Sequence, residues 1–250
     1  MKAILIGGAA LSLLSVSAFA ADIGMPPLSS IPPPAPPPFT WTSCYGGLHA
    51  GGGFGQKTLN DTAGVLSPVT GFTSVNLNIS GYMIGGQLGC DYQFASNWVI
   101  GIEGEAAGGN IGGNITFAPP LLPGNAPNFN ETTDFLASVT GRVGYTWDRW
   151  MLFGKGGVAL AGDRYSLIDP LVPYNYQGLE NRVGWTAGAG VEWALWSDWS
   201  VRLEYDYYGF GTRSVSFIDA TFGNPTGDLR IQQNIQTLML GVNFHAFAGP

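Results

Sequence analysis

The chain has 250 residues, of which 11% are charged, 13% are aromatic and 38 are glycine, with a formal net charge of −7. That length suits one domain with appendages, and so acidic a balance speaks against nucleic acid as a partner. No run of about twenty apolar residues occurs beyond residue 20, which excludes a transmembrane helix, yet a chain so rich in glycine and poor in charge must hide its surface in something other than water.

Residues 1–20, MKAILIGGAALSLLSVSAFA, set Lys2 before an apolar core and end on Ala18-Phe19-Ala20. This is the pattern of a secretory signal peptide cut after Ala20. Residues 21–40 hold Pro26, Pro27, Pro32, Pro33, Pro34, Pro36, Pro37 and Pro38. Proline removes donors and stiffens the chain toward polyproline II, so this stretch is expected to be a periplasmic leader outside any sheet.

From residue 41 to 250 eight segments alternate with a period of two and read as strands. They run Cys44 to Gly55, Asn78 to Phe94, Trp98 to Gly108, Phe135 to Trp147, Trp150 to Ala161, Arg182 to Leu195, Trp199 to Gly211 and Gln233 to Ala246. Ala95-Ser96-Asn97, Asp148-Arg149 and Trp196-Ser197-Asp198 make short turns. The remaining connections are long: Gln56 to Leu77, Gly109 to Asp134, Gly162 to Asn181 and Thr212 to Gln232. Strict alternation of short and long puts every long loop at one end. The expectation is an all-β chain: an eight-stranded antiparallel up-and-down transmembrane β-barrel, with three short periplasmic turns and four long extracellular loops.

The faces of the strands agree. Val183, Trp185, Ala187, Ala189, Val191 and Trp193 share one parity, and Arg182 and Glu192 lie on the other among glycines. Val201, Leu203, Tyr205 and Tyr207 likewise oppose Arg202, Glu204 and Asp206. Lipid outside and a crowded polar lumen inside suit such faces. Trp98, Trp147, Trp150, Trp193, Trp196 and Trp199 all fall beside short turns, where a periplasmic aromatic girdle belongs.

Glu103, Glu105, Arg142, Lys155, Glu192, Arg202, Glu204 and Asp206 lie at similar distances from the short-turn ends. At a tilt near 40° they would span about 10 Å of the barrel axis, so the expectation is an internal ion-pair network closing a lumen that eight strands leave just wide enough for side chains. Lys57, Arg164, Arg182, Arg213 and Arg230 fall in or beside the long loops and are expected to form a rim toward lipopolysaccharide phosphates. Outer-membrane lipid and lipopolysaccharide are therefore the expected partners, and a homo-oligomer is compatible with these features.

Two readings stand for Cys44 and Cys90, which share the outward parity near the periplasmic ends of adjacent strands. One is a disulfide in an oxidising compartment. The other is a pair of lipid-facing thiols, favoured because register across a long loop is weakly fixed. No enzyme is expected: His49 and His245 are the only histidines, and counting assembles no triad around either. Nor is a metal or cofactor expected. Gly154-Lys155-Gly156-Gly157 lacks the spacing of a phosphate loop and sits inside a strand.

Several phrases carry a likeness to known proteins: Phe39-Thr40-Trp41-Thr42-Ser43-Cys44-Tyr45-Gly46-Gly47, Gly85-Gly86-Gln87-Leu88-Gly89-Cys90-Asp91-Tyr92-Gln93-Phe94, Gly141-Arg142-Val143-Gly144-Tyr145 and Gly241-Val242-Asn243-Phe244. In that order, over nearly all of the mature chain, they resemble the small outer-membrane β-barrel and surface-antigen family of alphaproteobacteria. The resemblance implies an OmpA-like, porin-like barrel in the cell outer membrane of a Gram-negative bacterium, inserted by the outer-membrane assembly machinery, with no catalytic residues to carry over. Cys44 and Cys90 stand where the family has aromatic residues. The ending Phe247-Ala248-Gly249-Pro250 departs from the family's terminal aromatic residue. A closed structural barrel, a narrow pore for small solutes and a soluble lipocalin-like carrier are the competing readings, and the last requires the apolar parity inside.

Overall fold

Alternation with a period of two sends every second side chain to the same side, and eight such stretches pair in chain order until the last meets the first. The strands are β1 (Ser43–Asn60), β2 (Ser74–Gln93), β3 (Trp98–Thr116), β4 (Asn128–Trp147), β5 (Trp150–Ile168), β6 (Asn175–Ala194), β7 (Trp199–Asp219) and β8 (Pro225–Ala246). All pairs are antiparallel and β1 closes on β8. The computed structural model describes residues 39–62, 64, 73–117, 128–168, 175–219 and 225–246. The stretches expected as signal peptide and as leader up to Pro38, and the ending Phe247-Ala248-Gly249-Pro250, lie outside them.

At one end of the barrel the turns are tight. Asn97 and Asp148 take positive φ (66° and 54°), a backbone that Asn and Asp tolerate in short connections. Around these turns Trp98, Trp147, Trp150, Trp193, Trp196 and Trp199 are all exposed.

At the other end the ladder runs well past the expected strand ends. Gln56–Asn60 pairs with Ser74–Asn78, Ile111–Thr116 with Asn128–Thr133, and Asp163–Ile168 with Asn175–Glu180. Much of the four stretches expected as long loops is therefore strand. The apolar parity reverses there: Leu59, Leu77, Ile79, Phe129, Leu167, Leu229 and Ile231 are buried inside the barrel, while Asn76, Asn78, Ser80 and Asn114 face out. An expectation built on one apolar face stops where that face changes side. A bulge at Asp134 on β4 adds to the break.

Candidate functional site: a stack of buried layers in the lumen

From the periplasmic end upward, the interior begins with an apolar cluster of Trp41, Val99, Met151, Phe153 and Ala194, with Phe39 packed against it. Trp41 is wholly buried, meets Phe39 edge-on at 4.9 Å, and is anchored by its backbone N–H donating to Gln93 Oε1 (2.9 Å). Trp41 thus corks the lower mouth. Counting strand residues could not find it, because it precedes the first alternating stretch.

Above the cork lies a layer of charge that contains all eight residues expected there. Arg142 faces Glu192 (2.9 Å), Glu103 (3.5 Å) and Asp91 (3.7 Å). Lys155 reaches Glu105 (2.9 Å), Asp206 (3.4 Å), Glu103 (3.5 Å) and Glu204. Arg202 pairs with Glu103 and Glu105, and with Glu204 at 3.5 Å. Asp91 and Tyr45, missed in the sequence, belong to the same layer; the Tyr45 hydroxyl donates to Glu103 Oε2 at 2.6 Å.

Two inward glycines make room for these groups. A Cβ on Gly101 would lie 1.9 Å from Asp91 Oδ1, and one on Gly188 would lie 2.0 Å from Asp206 Oδ1. The carboxylates of Glu103, Glu105 and Glu204 come within 4.8 Å of one another, near enough to surround a cation. Lys155 and Arg202 already supply positive charge to all three.

A hydrogen-bonded chain joins this layer to the cork. His49 Nδ1 lies 2.7 Å from Gln87 Oε1; Gln87 donates to Asn243 Oδ1 (2.6 Å), and Asn243 donates to Glu192 Oε1 (2.8 Å). Ser200 donates to the same carboxylate and lies 2.8 Å from His245 Nε2, while Ser43 Oγ lies 2.9 Å from His245 Nδ1. Here the count along the strands misled: serine, histidine and carboxylate do converge at His245. They do so behind Trp41, on its lumen side, with Ser43, Ser200 and His245 all buried.

Next comes an apolar tier that includes Met83, Ala107, Ile111, Leu136, Tyr208, Phe210, Ile235 and Met239. Beyond it lies a second charged layer absent from the sequence reading. Lys57 pairs with Glu131 and with Asp163 (3.0 Å), and Arg182 pairs with Asp163 (3.2 Å) and Glu180 (2.8 Å). Thr133 donates to Asp163 Oδ1 (2.6 Å), and Arg182 Nη1 donates to the Ile231 carbonyl (2.9 Å). Lys57 and Arg182 were expected on a rim toward lipopolysaccharide. Both are instead buried inside the barrel, because the segments that carry them are strands whose inward parity they share. Arg164, Arg213 and Arg230 are exposed, and Arg164 meets Asp134 at 3.0 Å.

Lys57 lies twelve residues beyond Tyr45 on β1, and Glu131 eleven beyond Arg142 on β4. The two charged layers are thus about 20–30 Å apart along the axis, the lower figure coming from the eight residues between Lys155 and Asp163 on β5. On the outer surface Cys44 and Cys90 sit directly opposite each other and are joined by a disulfide, with Cα atoms 3.9 Å apart.

Eight antiparallel strands with an outward apolar belt, flanking aromatic residues and charges inside define a transmembrane β-barrel of the outer membrane. The family profile described as "Outer membrane protein beta-barrel domain" matches residues 6–244, and the chain belongs to that family. The 31 kDa outer-membrane immunogenic protein of Brucella melitensis is 29% identical over 98% of this chain and 99% of its own. The 25 kDa outer-membrane immunogenic protein of Brucella ovis is 30% identical over 85% of this chain and 92% of its own. Among solved structures, the outer membrane protease OmpT of Escherichia coli aligns with a TM-score of 0.51 and 9% identity, over 83% of this chain and 98% of that one. That likeness concerns the fold alone. The protein is an outer-membrane β-barrel protein.

Proposed function

We propose that the protein is a closed, non-catalytic barrel that stabilises the outer membrane and presents its upper wall at the cell surface. The observation that supports this reading is the succession of buried layers among the described residues: cork, ion-pair layer, apolar tier, second ion-pair layer and upper apolar residues. An eight-stranded barrel has little more width than its side chains fill, and open channels belong to barrels with more strands. The Brucella relatives are named as outer-membrane immunogenic proteins, which fits a surface role. The Ser43–His245–Ser200–Glu192 chain acts here as a structural tie, since Trp41 covers it and Glu192 is committed to Arg142.

A second reading, a narrow cation-conducting pore, is favoured by one feature. The lower charged layer brings together six carboxylates (Asp91, Glu103, Glu105, Glu192, Glu204 and Asp206) and three bases (Arg142, Lys155 and Arg202). Planar-bilayer recording separates the two. The closed reading expects no steady conductance from wild-type protein; steady, cation-selective current would overturn it.

A further inference from the structure

The two histidines differ in how their rings are held. His245 has both ring nitrogens engaged, by Ser43 and Ser200, whereas His49 has one engaged, by Gln87. The hydrogens along the chain that reaches His49 are fixed from its far end. Glu192 as a carboxylate can only accept, so Asn243 donates to it and accepts from Gln87, and Gln87 Oε1 is left to accept from His49 Nδ1–H. The ring proton therefore sits on Nδ1, and Nε2 carries a bare lone pair. Among the described residues Nε2 has no hydrogen-bond partner, although His49 is only 5% exposed.

The surroundings of that nitrogen leave it open. Both ladder neighbours of His49 are glycines, Gly85 and Gly241. A Cβ on Gly85 would lie 2.6 Å from Nε2, so a side chain there would obstruct it. His49 lines a cavity of about 10 Å³, room for the centre of one water or ion, together with Glu105, Arg202, Glu204, Asp206 and Tyr208.

The carboxylates on this cavity are of two kinds. Glu105 has one oxygen on Lys155 and the other on Arg202. Glu204 Oε2 and Asp206 Oδ1 accept no hydrogen bond among the described residues, and both side chains are buried. Arg202 stands 3.5 Å from the first and Lys155 3.4 Å from the second. A buried carboxylate oxygen without a donor is costly.

One imidazole nitrogen and two carboxylate oxygens with free lone pairs thus belong to residues on one small cavity, in a layer of six carboxylates and three bases. Carboxylates alone suit Ca²⁺ or Mg²⁺; an added imidazole favours first-row transition ions. We propose that the lumen binds one divalent metal ion of the zinc class through His49 Nε2, Glu204 and Asp206. Gln87 holds the ring in the tautomer that binding requires. The ion adds positive charge where Lys155 and Arg202 stand off, and its role is structural. The cork lies on one side of it and the apolar tier on the other, so it enters as the strands close and leaves slowly.

The test is the zinc content of untagged full-length protein refolded into lipid with Zn²⁺ or with a chelator, then desalted and counted by inductively coupled plasma mass spectrometry. Heat-modifiable electrophoretic mobility gives the folded fraction of each variant. Wild type is expected to hold one zinc per folded barrel and to unfold at higher urea when refolded with zinc. His49→Gln and, separately, Asp206→Asn should lower zinc content at least about tenfold and abolish the urea shift. His245→Gln should keep both. If His49→Gln fails to fold, Asp206→Asn carries the comparison. No zinc in folded wild type, equal zinc in wild type and the folded site variants, equal loss with His245→Gln, or equal retention of calcium offered instead would overturn the proposal. Conductance is not read, so this proposal and the closed reading fail separately.

Discussion

Within one strand the barrel obeys two opposite rules. On the lower part of β8, Phe244, Val242, Leu240 and Leu238 point out, while His245, Asn243 and Thr237 point in. On the upper part of the same strand Gln232 and Arg230 point out, and Ile235, Ile231 and Leu229 point in. The period of two never changes; only the medium outside does. The apolar belt extends about ten residues from the short-turn end of the barrel on β1, β2 and β5, or about 25 Å, which is the height of a hydrocarbon band. Above it the outer wall meets water, and the chain reverts to the faces of an ordinary water-soluble barrel. A strand that continues past the membrane must therefore exchange its faces at the boundary.

The sharpest break in this comparison is a lost base in the lower layer. Arg142→Ala leaves Asp91, Glu103 and Glu192 without their shared partner in a site that water does not reach. The expected loss is about 3–5 kcal/mol of unfolding free energy, read from urea titration in lipid. Lys57→Ala should cost a similar amount, because Glu131 and Asp163 are equally buried. A much smaller cost at Lys57 would mean that the upper layer is wet and the two halves differ inside as well as outside.

The outer faces provide the next comparison, since one substitution can be placed on either side of the boundary. Leu240→Arg puts a charge into the lipid belt and should cost about 2–4 kcal/mol. Gln232→Arg puts the same charge on the upper wall of the same strand and should change stability by less than about 0.5 kcal/mol. Equal costs would place the boundary elsewhere.

The lower half was legible in the sequence because lipid demands an unbroken apolar parity, and eight segments supplied it between recognisable turns. The inward charges of that half followed from the same parity. The upper half was not legible because its apolar residues, such as Leu59 on β1 and Ile79 on β2, change to the opposite parity, and a search for one continuous face then sees only loop. Lys57 was misplaced for that reason; Arg182 already had the inward parity at the start of its expected strand and was counted with the rim because it stands beside a long connection. Trp41 carried a signal that could have been used: Phe39 and Trp41 are alternate aromatic residues beside the first strand. For the cysteines, parity was readable but register was not, because β1 holds Gly46, Gly47, Gly51, Gly52, Gly53 and Gly55 and offers few side chains to set it.

That glycine-rich strand gives the Cys44–Cys90 disulfide its expected effect. The bond closes a separation of 46 residues and lies at the periplasmic edge of the belt. Its removal by Cys44→Ser with Cys90→Ser should cost about 2 kcal/mol, at the low end for such a bond, because the lipid belt already restrains β1 and β2. Refolding yields with and without reductant check this. Unchanged stability would show that the belt alone sets the register of the lower half.

The smallest effect is expected at the exposed ion pair of the upper wall. Arg164 and Asp134 meet at 3.0 Å, a separation like that of Lys57 and Asp163, yet their side chains are 69% and 41% exposed whereas Lys57 and Asp163 are not exposed at all. Water screens the outer pair and hydrates either partner when the other is removed, so Arg164→Ala should cost about 0–1 kcal/mol. Lys57→Ala leaves the buried Glu131 without its cation and Asp163 with Arg182 alone, and its larger cost reflects the desolvation of what remains more than the attraction that is lost. Raising salt should leave the buried layer nearly unaffected and weaken the outer pair further. Urea titrations of both variants at low and high salt test this. If Arg164→Ala costs as much as Lys57→Ala at either salt, the outer wall above the belt is not facing water, and the exchange of faces along β8 would need another cause.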